Sequence, residues 1–236
     1  MPLKTKKTTT QNDKQERITS ALRNAIIEQA VKPGMRLPED TIGEQFGVSR
    51  TIVRSALLKL VSEGLVQQRK NRSAIVAEPS WKEAQDTFDL RIVLEDLVIR
   101  KLCKSITSEQ LAILREHVEK EERAQSKSEL VSIRLAGEFH ALLAQMTGSE
   151  VLTNYMRELA SRCCLILSMY SRPHSSECGV NEHRELVNLL EQGDENKLAT
   201  VMKHHMEGVV ERALISPPDR EDKNLNQILS SYLADD

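Results

Sequence analysis

Aromatic residues are scarce: one Trp, three Tyr and three Phe occur in 236 positions. A core for a chain of this length must therefore come from Leu, Ile, Val, Ala and Met. That palette suits helices packed on helices better than a sheet sandwich. Long apolar runs are missing too, so no segment is fit to cross a bilayer. The basic start "MPLKTKKTTTQNDK" lacks the apolar stretch of a secretory signal, and a cytoplasmic protein is expected. The four cysteines (Cys103, Cys163, Cys164, Cys178) follow no paired metal spacing; reduced thiols, three of them buried, are the simplest expectation. There is no glycine-rich phosphate loop, no G-x-S-x-G elbow, no H-E-x-x-H and no internal repeat. Those absences remove the usual sequence signs of a nucleotide hydrolase, a serine hydrolase or a zinc protease.

What is present first is an asymmetry of charge. Residues 1–77 carry 14 Lys/Arg against 7 Asp/Glu, whereas residues 78–236 carry 19 against 28. A basic head on an acidic body suggests that the head meets a polyanion and the body does not. Solvating charge scattered at random does not predict such an imbalance.

The head has a readable outline. Ile18, Ala21, Leu22, Ala25 and Ile26 recur at helical spacing between about Lys14 and Gln29. "KPGMRLPED" breaks that helix, and a short one over 39–46 ends at Gly47, a residue suited to the left-handed position. Ser49 is the expected N-cap of a helix over 50–63, closed by Gly64. "LVQQRKNRSAIVAE" then reads as two short strands around a basic turn at Lys70-Asn71. Helix, helix, turn, helix, hairpin is the outline of a winged helix-turn-helix. In the third helix Ile52 or Val53, Ala56, Leu57 and Leu60 form the packed face. Ser49, Arg50, Thr51 and Arg54 stand exposed at its entry end, where a recognition helix presents side chains to base edges and phosphates. Arg69, Lys70, Asn71 and Arg72 occupy the wing tip, within reach of phosphates or a minor groove.

The body reads as helices throughout. One runs from Trp81 to about Cys103, and "TSEQ" at 107–110 is a capping box that starts the next. Further helices are expected up to Gly148, over 151–170, over 180–191 before Gly193, and from Asp194 to about Leu214. The expected fold is mainly α: a winged helix-turn-helix at 12–77, a linker at 78–82, a bundle of six to seven helices at 83–215, and a polar tail at 216–236.

Three of the six histidines fall on apolar stripes of separate helices. His140 joins Ala136, Leu143 and Ala144; His183 joins Leu186, Val187 and Leu190; His205 joins Leu198, Val201, Met202 and Val209. Three inward imidazoles suit a divalent metal such as Zn or Ni, or a pocket that binds an anion directly. His117, His174 and His204 lack this pattern and are expected at the surface. Arg91 and Arg162 could face the same cavity and pair with an effector carboxylate, or Arg91 could form an i,i+4 ion pair with Glu95.

Over residues 17–77, "KPGMRLPE", "FGVSRT", "VRSAL" and "EGLV" resemble the DNA-binding domain of GntR-type bacterial transcription regulators. Ile52 stands where that family usually has proline, Ser73 where it has a wing glycine, and Asp40 where some members carry arginine. "RIVLEDLVIR", "GEFHALLAQMTGSEVL" and "NEHRELVNLLEQGD" resemble the FadR-like, FCD-type effector domain. The resemblance implies a ligand-responsive regulator, in outline a repressor of a catabolic operon released by a small carboxylate. It also implies a homodimer on a palindromic double-stranded DNA operator, and it places His140, His183 and His205 on the family's metal ligands. Metal-binding members usually carry an aspartate four residues before the first histidine; here that position is Ala136. The competing class is a metal-dependent enzyme using the three histidines. A purely structural DNA-binding protein would need no inward polar cluster.

Overall fold

Capping chemistry sets the main boundaries of the computed structural model, which describes residues 10–70, 72–125, 127–170 and 177–213. Thr10 and Asp13 form a capping box that opens α1 (Gln11–Ile27), three residues earlier than the apolar pattern indicates. Gly47 (φ 64°) ends α2 (Glu39–Phe46), and Gly64 (φ 71°) follows α3 (Arg50–Ser62). Both glycines adopt the left-handed conformation that costs a side-chain-bearing residue steric strain. β2 (Val66–Gln67) and β3 (Ala74–Val76) form the expected hairpin, with Val66 opposite Val76. A third strand, β1 (Arg36–Leu37), pairs with the other edge of β3, Arg36 opposite Ile75. A strand of two residues is too short to show a period of two, so the sequence pattern does not reveal it.

The remaining helices are α4 (Trp81–Cys103), α5 (Ser108–Gln125), α6 (Glu129–Met146), α7 (Glu150–Tyr170), α8 (Glu177–Gln192) and α9 (Glu195–Ala213). Ser80 and Glu83 box the start of α4, Thr107 and Gln110 that of α5, and Asp194 caps α9 through the Lys197 N–H. The chain is thus mainly α, a small-winged helix-turn-helix followed by a helical bundle. The tail expected at 216–236 lies outside the described residues, as do Asn71, His174 and the Cys178 side chain.

Two apolar clusters result. One joins Ile18, Leu22 and Ile26 of α1 to Val53, Leu57 and Leu60 of α3 and to the strands. The other packs Phe88, Leu114, Phe139, Leu143, Leu186 and Leu198 in the bundle. Helix α7 serves both: Leu165 belongs to the first cluster, Cys163 and Ile166 to the second. Cys164 packs so closely on Gly137 that a Cβ there would overlap its sulfur. Polar contacts add to this junction: Arg134 of α6 reaches Glu28 at 2.7 Å, and the Tyr170 hydroxyl donates to the Pro79 carbonyl at 2.8 Å. Cys163 and Cys164 are buried, while Cys103 is half-buried.

Candidate DNA interface and histidine centre

Helix α3 buries Val53, Ala56, Leu57 and Leu60 and turns Ser49, Arg50, Thr51 and Arg54 to solvent. Ser49 occupies the N-cap position, yet its side chain makes no capping hydrogen bond and stays free. Arg54 donates from Nε and Nη2 to the two carboxylate oxygens of Glu39, at 2.9 and 2.7 Å. That side-on grip leaves the forward edge of the guanidinium, Nη1 and the outer Nη2 hydrogen, available to a guanine. The hydrogen bonds from Arg54 hold Glu39 below the usual carboxylate range. Arg50 pairs through Nε with Asp40, but both side chains are largely exposed. Arg69, Lys70 and Arg72 are exposed on the wing turn.

In the bundle, His140 of α6, His183 of α8 and His205 of α9 are buried and close together. The His205 Nε2 lies 3.2 Å from that of His140 and 3.3 Å from that of His183. Each outer nitrogen faces a carboxylate. Glu95 of α4 is 2.8 Å from His140 Nδ1, Glu121 of α5 is 2.7 Å from His183 Nδ1, and Glu182 of α8 is 2.5 Å from His205 Nδ1. The first contact is close enough for ion pairing but is not aligned as a hydrogen bond; the other two are aligned. Phe139 stacks on the His183 ring with centroids 4.2 Å apart, which fixes its plane.

The aligned carboxylates favour one tautomer at His183 and His205. A carboxylate at Nδ1 keeps the proton there and turns the Nε2 lone pair inward. The Nε2 of His205 meets the other two at hydrogen-bond distance, and which of them donates depends on the tautomer. Burial depresses the His140 imidazole to about 4, more than Glu95 lifts it, so it is neutral and able to ligate at physiological pH. Burial also pushes the Glu95 carboxyl up, but His140 and Arg91 override that and hold it at about 2.

The three nitrogens lie within 4.8 Å of one another, and two of their separations suit a divalent ion. Nitrogens 2.0–2.1 Å from a tetrahedral zinc stand about 3.3–3.4 Å apart, close to the two separations found. Among the described residues, no carboxylate joins the three histidines in this group. Ala136, half-buried one turn before His140, supplies no oxygen, and Glu138 is exposed and paired with Arg134.

Arg91 is buried and donates from Nε to Glu95 at 3.1 Å, so it reaches the centre through that carboxylate. Arg162 is placed elsewhere, against Gly64 of the winged-helix domain, with Nη2 on Glu158 at 2.9 Å. His204 is exposed as expected, but His117 is half-buried, its Nε2 2.9 Å from the Leu135 carbonyl oxygen. The sequence pattern gives Glu95 only as the i,i+4 partner of Arg91, which it is, and misses its contact with His140 as well as Glu121 and Glu182. A signal existed for two of them: Glu95 lies in phase with buried Phe88, Arg91 and Leu102, and Glu121 with Leu114 and Val118. A carboxylate on an apolar stripe is costly to bury unless it is partnered.

Fold and site together define a regulator: a DNA-reading head joined to a helical sensing domain. The family model described as "Bacterial regulatory proteins, gntR family" matches residues 14–76, and the FCD domain model matches residues 86–208, more than half of the chain. The chain belongs to the GntR family of bacterial regulators, in the FadR-like branch that carries an FCD domain. It is 28% identical over 169 residues to the HTH-type transcriptional regulator YdhC of Bacillus subtilis (strain 168), covering 70% of this chain and 75% of that one. It is 25% identical over 198 residues to the HTH-type transcriptional repressor RspR of Escherichia coli (strain K12), covering 83% and 87%. Escherichia coli McbR/YncC shares the fold with a TM-score of 0.72 at 23% identity, over 84% of this chain and 95% of that one. A GntR regulator from Rhodococcus sp. RHA1 does so with a TM-score of 0.71 at 21% identity, over 86% and 98%. The protein is accordingly a DNA-binding, ligand-responsive transcription regulator and not an enzyme. Among the described residues no helix is long and apolar enough to cross a membrane.

Proposed function

We propose that this regulator is a cytoplasmic homodimeric repressor of a catabolic operon. It binds a palindromic operator through Ser49, Arg50, Thr51 and Arg54 of each α3, with Arg69, Lys70, Asn71 and Arg72 on the flanking phosphates. A divalent ion, zinc or nickel, is held by Nε2 of His140, His183 and His205, and a small organic acid completes its coordination and releases the DNA. The observation that carries the sensing half is the convergence of three Nε2 atoms whose Nδ1 partners are all carboxylates.

Charge favours the metal over direct capture of an anion by the imidazoles. Glu95, Glu121 and Glu182 put a carboxylate at the Nδ1 side of each ring, which works against an anion bound alone. A divalent cation offsets those carboxylates and leaves a position open to a carboxylate ligand. Arg91 acts in this reading by fixing Glu95, while Arg162 belongs to the contact between the domains.

Metal-free protein should be compared with the zinc- or nickel-loaded form in thermal melts, with and without citrate as a carboxylate probe. Metal should raise the melting temperature, and citrate should raise it further only when metal is present. Citrate stabilising the metal-free protein as strongly as the loaded one would move the effector onto the histidines themselves.

A further inference from the structure

Helix α1 of the winged domain packs on α6 and α7 of the bundle, and a cavity of about 310 Å³ lies between the three helices. None of the three imidazoles of the histidine centre lines it. Ile27, Leu142 and Ala160 give it apolar walls. Each helix also contributes a guanidinium to the lining, Arg23 from α1, Arg134 from α6 and Arg157 from α7, against one carboxylate, Glu138. Their commitments differ. Arg23 grips Glu63 at 2.7 and 2.6 Å, and Arg134 holds Glu28 at 2.7 Å and Glu138 at 2.6 Å. Arg157 makes no ion pair among the described residues, and the Glu16 carboxylate that feels its charge is held by Lys59 at 2.5 Å. Ser161 is only 6% exposed and lines the same cavity, yet its hydroxyl has no hydrogen-bond partner among the described residues. The side-chain amide of Asn24, from α1, has none either. A buried hydroxyl is costly to leave without an acceptor.

We propose that this cavity is a second small-molecule site, one that takes a monocarboxylate with a compact apolar body. The carboxylate pairs with Arg157 and accepts from Ser161 and Asn24, while the body lies against Ile27, Leu142 and Ala160. Donors that lack acceptors select an acceptor-rich group, and a guanidinium presents the fork that a carboxylate matches. One uncommitted cation calls for a single negative charge, since a second would meet Glu138. The volume sits at the lower end of the about 300–1,000 Å³ of ligand pockets, so the body is about one ring in size. This site does not depend on the reading of the histidine centre. A ligand here touches the winged domain through Asn24 and the bundle through Arg157 and Ser161, and so fixes α1 against α6 and α7. Because α3 shares its core with α1, the placement of the recognition helix then answers to a ligand other than the one at the histidines.

Benzoate is the probe, titrated calorimetrically into the chelator-stripped full chain, with a thermal melt of each variant to check its fold. Wild type should bind one benzoate per chain, and equally well after zinc is added. Arg157→Gln should weaken binding by about tenfold or more. Ala141→Phe, at another residue of the lining, fills the cavity and should abolish it. Both positions are half-buried, so neither change disturbs a core. Benzoate should shift wild-type affinity for a duplex selected from a randomised pool by about fivefold or more, and leave that of Arg157→Gln unchanged. A wild type that binds no benzoate overturns the site, as does binding that both variants retain. Binding that requires zinc places the carboxylate at the histidines instead and also overturns it. Binding lost in both variants but without effect on the duplex overturns the coupling to α3 alone.

Discussion

Two of the arginine–carboxylate pairs, Arg54–Glu39 on the candidate DNA face and Arg91–Glu95 beside the histidines, use the same chemistry in opposite surroundings. In the first the arginine is 58% exposed; in the second both partners are almost fully buried. The exposed pair is screened by water, contributes little to stability and is free to be read by a ligand. The buried pair is insulated, so removing one member strands a charge. Location rather than composition separates the arginine proposed to read DNA from the one proposed to support a sensing site.

Substitutions should separate the two cases, and the largest effect belongs to the buried pair. Glu95→Ala leaves Arg91 and His140 without their carboxylate and should cost about 3–5 kcal/mol of stability, measured by denaturant titration. Arg54→Ala should leave the melting temperature near wild type and cost about 1–3 kcal/mol of binding to a duplex selected from a randomised pool. Arg50→Ala should behave alike, and unchanged affinity in both would remove α3 from the role of reader. Ala136→Asp sharpens the contrast inside the bundle. It adds a carboxylate one turn before His140 and should tighten zinc binding by about tenfold while weakening the response to citrate. If the variant instead melts lower with and without zinc, the added charge is simply buried and no metal accepts it. The smallest effect is expected in the wing. Lys70→Ala should weaken selected and scrambled duplexes alike and lower the slope of log affinity against log salt by about 1.

How much of this was legible in the sequence differs between the regions for physical reasons. The DNA face is local: Ser49, Arg50, Thr51 and Arg54 fall within two turns of one helix, and capping signals mark where it starts. Helical period likewise announces α4, α6 and α7 nearly to their ends. The histidines were visible because each interrupts an apolar stripe. Their carboxylate partners lie on α4, α5 and α8, and no spacing rule links Glu121 to His183 sixty-two residues later. Glu182 adjoins His183 in sequence yet serves His205, because neighbours on a helix point about 100° apart. Arg162 shows the limit from the other side. Its helix contributes to both cores, and only the packing of α7 on Gly64 directs this arginine to the winged helix instead of the histidines.

The claim that the bundle is built around a metal is tested most directly by zinc titration of chelator-stripped protein, with elemental analysis of the protein as purified. Wild type should hold about one divalent ion per chain, bound through three imidazoles, and the triple alanine variant of His140, His183 and His205 should hold none. A wild type that carries no metal, takes up no zinc and melts unchanged in its presence would contradict the account.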